Sequence, residues 1–229
     1  MHLNPRWSRS LALALAVPLV MGASFGAGGC AIGALAGGMM ESYRRTSTRP
    51  VAAEYEGLAG KSYAVAVYGD RVLQGSHPTL LPRLTNRISV LLADPARTGA
   101  TGFVPAQLVL EMQFANPDWS GWSYERLAEE FGVERLIVVE LYEYRLNETG
   151  NAYLWDGVVA AKVGVVEADG SIPNEFVFSK DIQVRFPTQS GLGPEEYSRP
   201  QVQAGLEQRF VDRVTWLFYE HQEPYYPEY

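Results

Sequence analysis

Cysteine is nearly absent: Cys30 is the only one in 229 residues. One thiol excludes an internal disulfide. It also excludes cysteine-based zinc clusters, which need several thiolates at set spacings. Histidine is almost as scarce, with His2, His77 and His221 far apart in the chain. No pair of them has metal-ligand spacing and none has a cysteine nearby, so no metal site and no cofactor is expected. Ser76 stands next to His77, but serine activation needs a base in space, which adjacency does not supply. Phosphate loops are missing too, since neither G-x-x-x-x-G-K nor G-x-G-x-x-G follows a strand. Positive charge is in deficit: 19 Lys and Arg against 26 Asp and Glu, a formal charge of −7. Nucleic acid is therefore not an expected partner, because neutralising phosphates needs a basic patch. What is abundant is apolar: 47% hydrophobic against 20% charged, a globular composition.

The N-terminus has a recognisable order. Arg6 and Arg9 precede an apolar run over residues 11–21, then a small-residue stretch ending Ala27-Gly28-Gly29-Cys30. Basic, apolar, small, then cysteine resembles a lipoprotein signal peptide. The apolar run suits a signal core and is short for a spanning helix. On this reading residues 1–29 are a leader and the thiol of Cys30 carries the lipid. Several acyl chains then hold the protein to a membrane, where one would hold it marginally. Removing Arg6 and Arg9 with the leader takes the formal charge from −7 to −9. The expected address is the cell envelope, on the periplasmic side. Ala31 follows Cys30 in place of the aspartate associated with inner-membrane retention, which favours the outer membrane. The pattern departs from the usual one, as Ala27 stands where leucine is common. A second reading of the same segment is an uncleaved membrane helix. The uncharged stretch continues to Met40, and Gly29, Gly33 and Gly37 are spaced four apart, as on packed membrane helices.

Residues 30–60 read as a tether, with Arg44, Arg45, Arg49 and Pro50 and no apolar period. The folded domain is expected over 61–219. Residues 62–68 read as a buried strand ending at Gly69-Asp70, and 71–78 as a loop. Leu80, Leu84, Ile88 and Leu91 mark one face of a helix over 80–92. Residues 103–104 are a short strand, and 106–114 a helix ended by Asn116-Pro117-Asp118. Ser123 is a helix N-cap and Gly132 the matching C-terminal stop. Residues 135–146 are apolar on both faces at first, as a central strand should be. Residues 153–166 and 175–186 alternate as two further strands joined by a hairpin turn at 168–171. An amphipathic helix fills 201–219, and 220–229 is an irregular tail. The class is α+β: an antiparallel-rich mixed sheet, a long three-stranded meander plus an N-terminal strand, packed by two to four helices.

The segment Tyr124-Glu125-Arg126-Leu127-Ala128-Glu129-Glu130-Phe131-Gly132-Val133-Glu134-Arg135-Leu136-Ile137-Val138-Val139-Glu140 carries a resemblance. With the element order it is similar to the periplasmic lipoprotein domain shared by the curli secretion channel subunit, the penicillin-binding-protein activator lipoproteins and the TolB amino-terminal domain. Those domains step from a helix through Leu-Gly-Ala into a strand, and Phe131-Gly132-Val133 stands at that step. The resemblance spans roughly 61–219. It implies an envelope domain without catalytic residues, and no counterpart of the curli channel's membrane hairpins is found.

Two function classes follow. In the first, the chain is a non-enzymatic interaction or assembly module, tethered through Cys30 and meeting a protein partner through Trp119 and Trp122 and an exposed sheet edge. Aromatic anchors are where interface energy concentrates. In the second it is an envelope hydrolase acting on glycan or peptide through carboxylates such as Asp118 and Glu111, which requires two carboxylates about 5–9 Å apart in a cleft. Two other carboxylate pairs are expected to be solvated. Glu129 and Glu130 are adjacent on a helix, and Glu140 and Glu143 should face opposite sides of a strand.

Overall fold

The computed structural model describes residues 47–225. The leader, Cys30, the Gly29/Gly33/Gly37 row and the end of the tail lie outside the described residues. The expected class is the observed one, α+β. Runs of β-branched and aromatic residues form β2 (Ser62–Gly69), β4 (Arg135–Glu148), β5 (Asn151–Glu167) and β6 (Phe178–Phe186), with a two-residue β3 (Gly102–Phe103). The sheet order is β3-β2-β4-β5-β6. β2 runs parallel to both β3 and β4, and β4, β5 and β6 form the expected antiparallel meander.

Two helices cover one face. α2 (Leu80–Leu92) turns Leu80, Leu84, Ile88 and Leu92 inward, and α6 (Arg199–Thr215) turns Val202, Leu206, Phe210 and Val214 inward. All eight are fully buried against Val65, Val67, Ile137, Val139, Val163 and Val165. α6 begins with a capping box in which Ser198 and Gln201 satisfy each other's backbone. It ends at Thr215, four residues before the expected end, and Leu217–Tyr219 stay in the core through turns. Glu207, buried on α6, accepts Arg83 of α2 at 2.7 Å and the Tyr144 hydroxyl at 3.3 Å. Paired in this way, the carboxylate avoids the cost of an isolated buried charge.

The opposite face has a smaller cluster. α5 (Tyr124–Phe131) packs Leu127 and Ala128 over Ala64, Ala66, Leu136 and Val138. The remaining helices are α1 (Arg71–Ser76), α3 (Pro95–Thr98) and α4 (Ala106–Ala115). The described residues thus hold six helices where two to four were expected. α1 occupies part of the expected loop, started by Asp70, whose carboxylate accepts the Leu73 amide at 2.7 Å. The same device starts α3 at Asp94.

Three expectations need correction. The tether does not run to residue 60, because Thr48–Val51 is a strand, β1, and Leu58 is fully buried. The tail is not irregular throughout, because His221–Pro224 is a strand, β7, antiparallel to β1. Neither strand has apolar alternation. The ribbon is held by its backbone ladder and by Glu223, which meets Arg213 at 3.0 Å and Arg49 at 3.6 Å. The third correction concerns Glu140 and Glu143. A bulge between Leu141 and Glu143 shifts the register, so Glu140 opposes Lys162 and Glu143 opposes Ala160, two residues apart on β5. Both glutamates therefore lie on one face of the sheet.

Candidate interaction surface

Asn116 ends α4, and a 3-10 turn over Trp119–Gly121 leads to the Ser123 cap of α5. Ser123 Oγ accepts the Arg126 amide at 3.3 Å, and Gly132 closes the helix in the left-handed region at φ 63°. A side chain there would be strained, which is why glycine stands at the helix-to-strand step. Between these fixed points the two tryptophans are held differently. Trp119 meets the Tyr68 ring edge-on, with centroids 5.7 Å apart. Trp122 lies beneath the Arg126 guanidinium, 3.6 Å from ring centroid to its carbon, and its indole N–H donates to Asp118 at 3.4 Å. Both rings are half-buried, so part of each remains in water. The loop is pinned to the second cluster and presents the rest of its aromatic surface.

Neighbouring groups brace it from the far side. Tyr124 and Phe176 rings lie 4.9 Å apart, and Lys162 sits over Phe176. Asn174 accepts the Glu125 amide at 3.1 Å and donates back to the Glu125 carboxylate at 3.2 Å. Burial, and then the nearby Tyr124 and Glu140, push the Tyr68 hydroxyl above its ordinary range. It therefore stays protonated and uncharged.

Sequence reasoning missed part of this region. Phe114, at the end of α4, is 89% exposed, and Leu108 is 53% exposed. Leu108, Met112, Phe103, Val104, Pro105 and Phe131 line a shallow groove of about 420 Å³. The signal was present in α4 itself, which carries apolar residues on every side (Ala106, Leu108, Val109, Leu110, Met112, Phe114). One sheet face buries only part of such a helix, and a helix apolar all round is normally enclosed.

The carboxylates of the hydrolase reading are each engaged nearby. Glu111 accepts Gln107 one turn away at 2.8 Å, and Asp118 accepts Trp122. Both are exposed, and neither lines any described cavity. Glu129 and Glu130 are exposed on α5. His77 packs against Tyr144 at 4.7 Å, where burial and then Arg199 and Arg83 push its pKa down. His221 lies flat on Trp216 at 4.4 Å. No helix among the described residues is long and apolar enough to cross a membrane.

No family model matches the chain, and no curated protein matches it. Among solved structures it is similar to lipoprotein GNA1162 of Neisseria meningitidis, at 17% identity and a TM-score of 0.41, over 67% of this chain and 96% of that one. It is also similar to the PelC dodecamer of Paraburkholderia phytofirmans, at 11% identity and a TM-score of 0.43, over 76% and 99%. A third is the hypothetical protein CT253 of Chlamydia trachomatis, at 15% identity and a TM-score of 0.42, over 68% and 94%. These are distant likenesses to bacterial proteins, the first of them a lipoprotein. The narrower superfamily remains a resemblance of the 124–140 segment.

Proposed function

We propose that this chain is a non-enzymatic envelope protein, tethered to a membrane by lipid on Cys30, that binds a protein partner through its Trp119–Trp122 loop. The observation that carries the reading is the state of the two tryptophans. Each is fixed by a named neighbour, Tyr68 or Arg126, and each keeps part of its ring in water. Rigid, part-exposed aromatics lose little conformational freedom on binding and supply large contact area. The tether adds a second element, because holding the domain near a membrane raises its local concentration toward partners there. The order of basic, apolar and small residues before Cys30 supports that element, with the periplasmic side and the outer membrane as the proposed address.

Two measurements test it. The intact mass of protein purified from membranes, beside a Cys30→Ser variant, should show a lipid gain on a chain starting at Cys30 that the variant lacks. An unmodified chain still carrying residues 1–29 would instead point to the uncleaved helix. Trp119→Ala with Trp122→Ala should stay folded by circular dichroism and lose most recovery of its partner in cross-linked pull-downs. A folded double variant with full recovery removes the loop from the function.

A further inference from the structure

The groove beside α4 is apolar inside and acidic around its rim. Leu108 and Met112, one turn apart on α4, line one side of its about 420 Å³, and residues 103–105, Phe131 and Glu130 line the rest. Leu108 is 53% exposed and Phe103 41%, so the apolar lining stands open to water. Glu130, at the end of α5, is the only charged residue in that lining. Glu111 is exposed on α4, three residues on from Leu108 and therefore its neighbour on the helix surface.

The charge here is of one sign and unmatched. Between Pro105 and Val133 the chain carries Glu111, Asp118, Glu125, Glu129 and Glu130 against a single cation, Arg126, which lies over Trp122. None of these five carboxylates forms an ion pair among the described residues. Elsewhere the acidic groups are matched: Glu134 has Lys61, Glu207 has Arg83, and Asp156 has Arg145. An apolar seat ringed by free carboxylates repels anionic lipid headgroups. It also repels a second copy that presents the same patch, since carboxylate would meet carboxylate. A cationic surface with an apolar stripe fits both features at once. The backbone next to the groove decides its form. β3, which borders the groove through Phe103, is the edge strand but only two residues long. Pro105 follows closely and has no N–H to give. An added strand therefore finds almost no ladder to join, whereas a helix satisfies its own backbone.

We infer that the groove between α4 and α5 takes a basic amphipathic helix of a partner protein, with its apolar stripe seated on Leu108, Met112 and Phe131 and its Lys or Arg side chains meeting Glu111 and Glu130. The inference rests on the reading of the chain as an interaction module and gives the partner's chemistry at a second surface, next in sequence to the tryptophan loop. A helix laid in a groove is held by apolar side chains recurring at i, i+3, i+4 and i+7. The groove supplies affinity through that stripe. The carboxylates select the sign of the helix's flanks, because rim charges choose partners and speed encounter more than they add affinity.

The probe is a synthetic helix of leucine and lysine, about five turns long, with leucine on one stripe. A scrambled peptide of the same composition and a version with glutamate for lysine accompany it. The full-length protein is held in zwitterionic nanodiscs, with protein-free discs as the blank. The lysine helix should bind and slow amide hydrogen exchange across residues 103–112 and 127–131. The scrambled and glutamate peptides should leave those segments unprotected. Leu108→Gln, at an exposed site that the fold does not need, should weaken the helix about fivefold or more. Glu111→Gln with Glu130→Gln should weaken it about 2–10-fold, as loss of two exposed ion pairs does. Equal binding of the scrambled or glutamate peptide, protection confined to other segments, or indifference to Leu108→Gln would each overturn the inference. So would protection of the same segments without peptide, on raising the protein concentration or on adding anionic lipid, which would seat a second copy or a membrane there. The tryptophan double variant separates the two ideas. If it loses its partner while the lysine helix leaves α4 and α5 unprotected, the groove falls and the proposed function stands. If it keeps its partner while the helix protects them, the reverse holds.

Discussion

The two faces of the sheet are built by different rules. The face under α2 and α6 carries large aliphatic and aromatic side chains, and Leu80, Ile88, Leu206 and Phe210 close it off completely. The other face is small under α5, with Ala64 and Ala66, and then gives way to charge. There Val158 and Ala160 are buried in the neighbourhood of a polar layer, in which Arg145 meets Asp156 at 2.7 Å and Glu143 at 3.0 Å. Long charged side chains cover apolar surface with their stems and keep their heads in water. The first face supplies stability. The second gives up apolar burial in order to hold a short helix, two tryptophans and a charged lattice at the surface.

That contrast can be broken at graded cost. Phe210→Ala, in the first face, should destabilise the protein by about 3–5 kcal/mol in chemical denaturation, because the cavity has rigid walls. Loss under 1 kcal/mol would show that the first face is not the main core. Ala66→Leu inserts volume beneath α5 and should cost about 1–3 kcal/mol. An equal or larger loss than at Phe210 would reverse the ranking of the faces. Ser123→Ala removes the α5 cap and should cost about 1 kcal/mol. Arg126→Ala uncovers Trp122 and should cost about 0.5–1 kcal/mol, while raising the quenching of tryptophan fluorescence by iodide.

The smallest effect should appear only in acid. Lys61, and then Arg135, hold the Asp169 carboxyl down to about 2 from an ordinary 3.8. A depressed pKa in the folded state means stability that is present above the unfolded value and lost on the way down to the folded one. The midpoint of thermal unfolding should therefore fall between about pH 4 and pH 2 more steeply in the wild type than in Asp169→Asn. Parallel slopes would detach this ion pair from the acid response. Asp169 is part exposed, so the effect stays small.

Much of this was legible in the sequence, for local reasons. Ser123 and Gly132 announce α5 because cap chemistry involves only a few neighbours. The meander was legible because an apolar-rich run at 153–166 is joined by the 168–171 turn to an alternating segment, although the third strand starts at Phe178 rather than at the expected 175. Glu140 and Glu143 were misread because alternation assumes an unbroken register, and the bulge at Leu141/Glu143 depends on the partner strand. β1 and β7 were misread because Thr48–Val51 and His221–Pro224 have no apolar pattern at all. Their pairing joins residues about 170 positions apart, and only the closed fold brings them together. Of the interaction surface, Trp119 and Trp122 stood out by residue type. Phe114 did not, because its exposure depends on which side of α4 the sheet happens to cover.

The ribbon has a directional consequence. The Tyr225 amide donates to the Ser47 carbonyl at 3.0 Å, so the chain enters and leaves the fold at a single pole. Anything joined to the fold before Ser47 or after Tyr225 therefore starts from the same end of it, and the opposite end is left clear for other contacts.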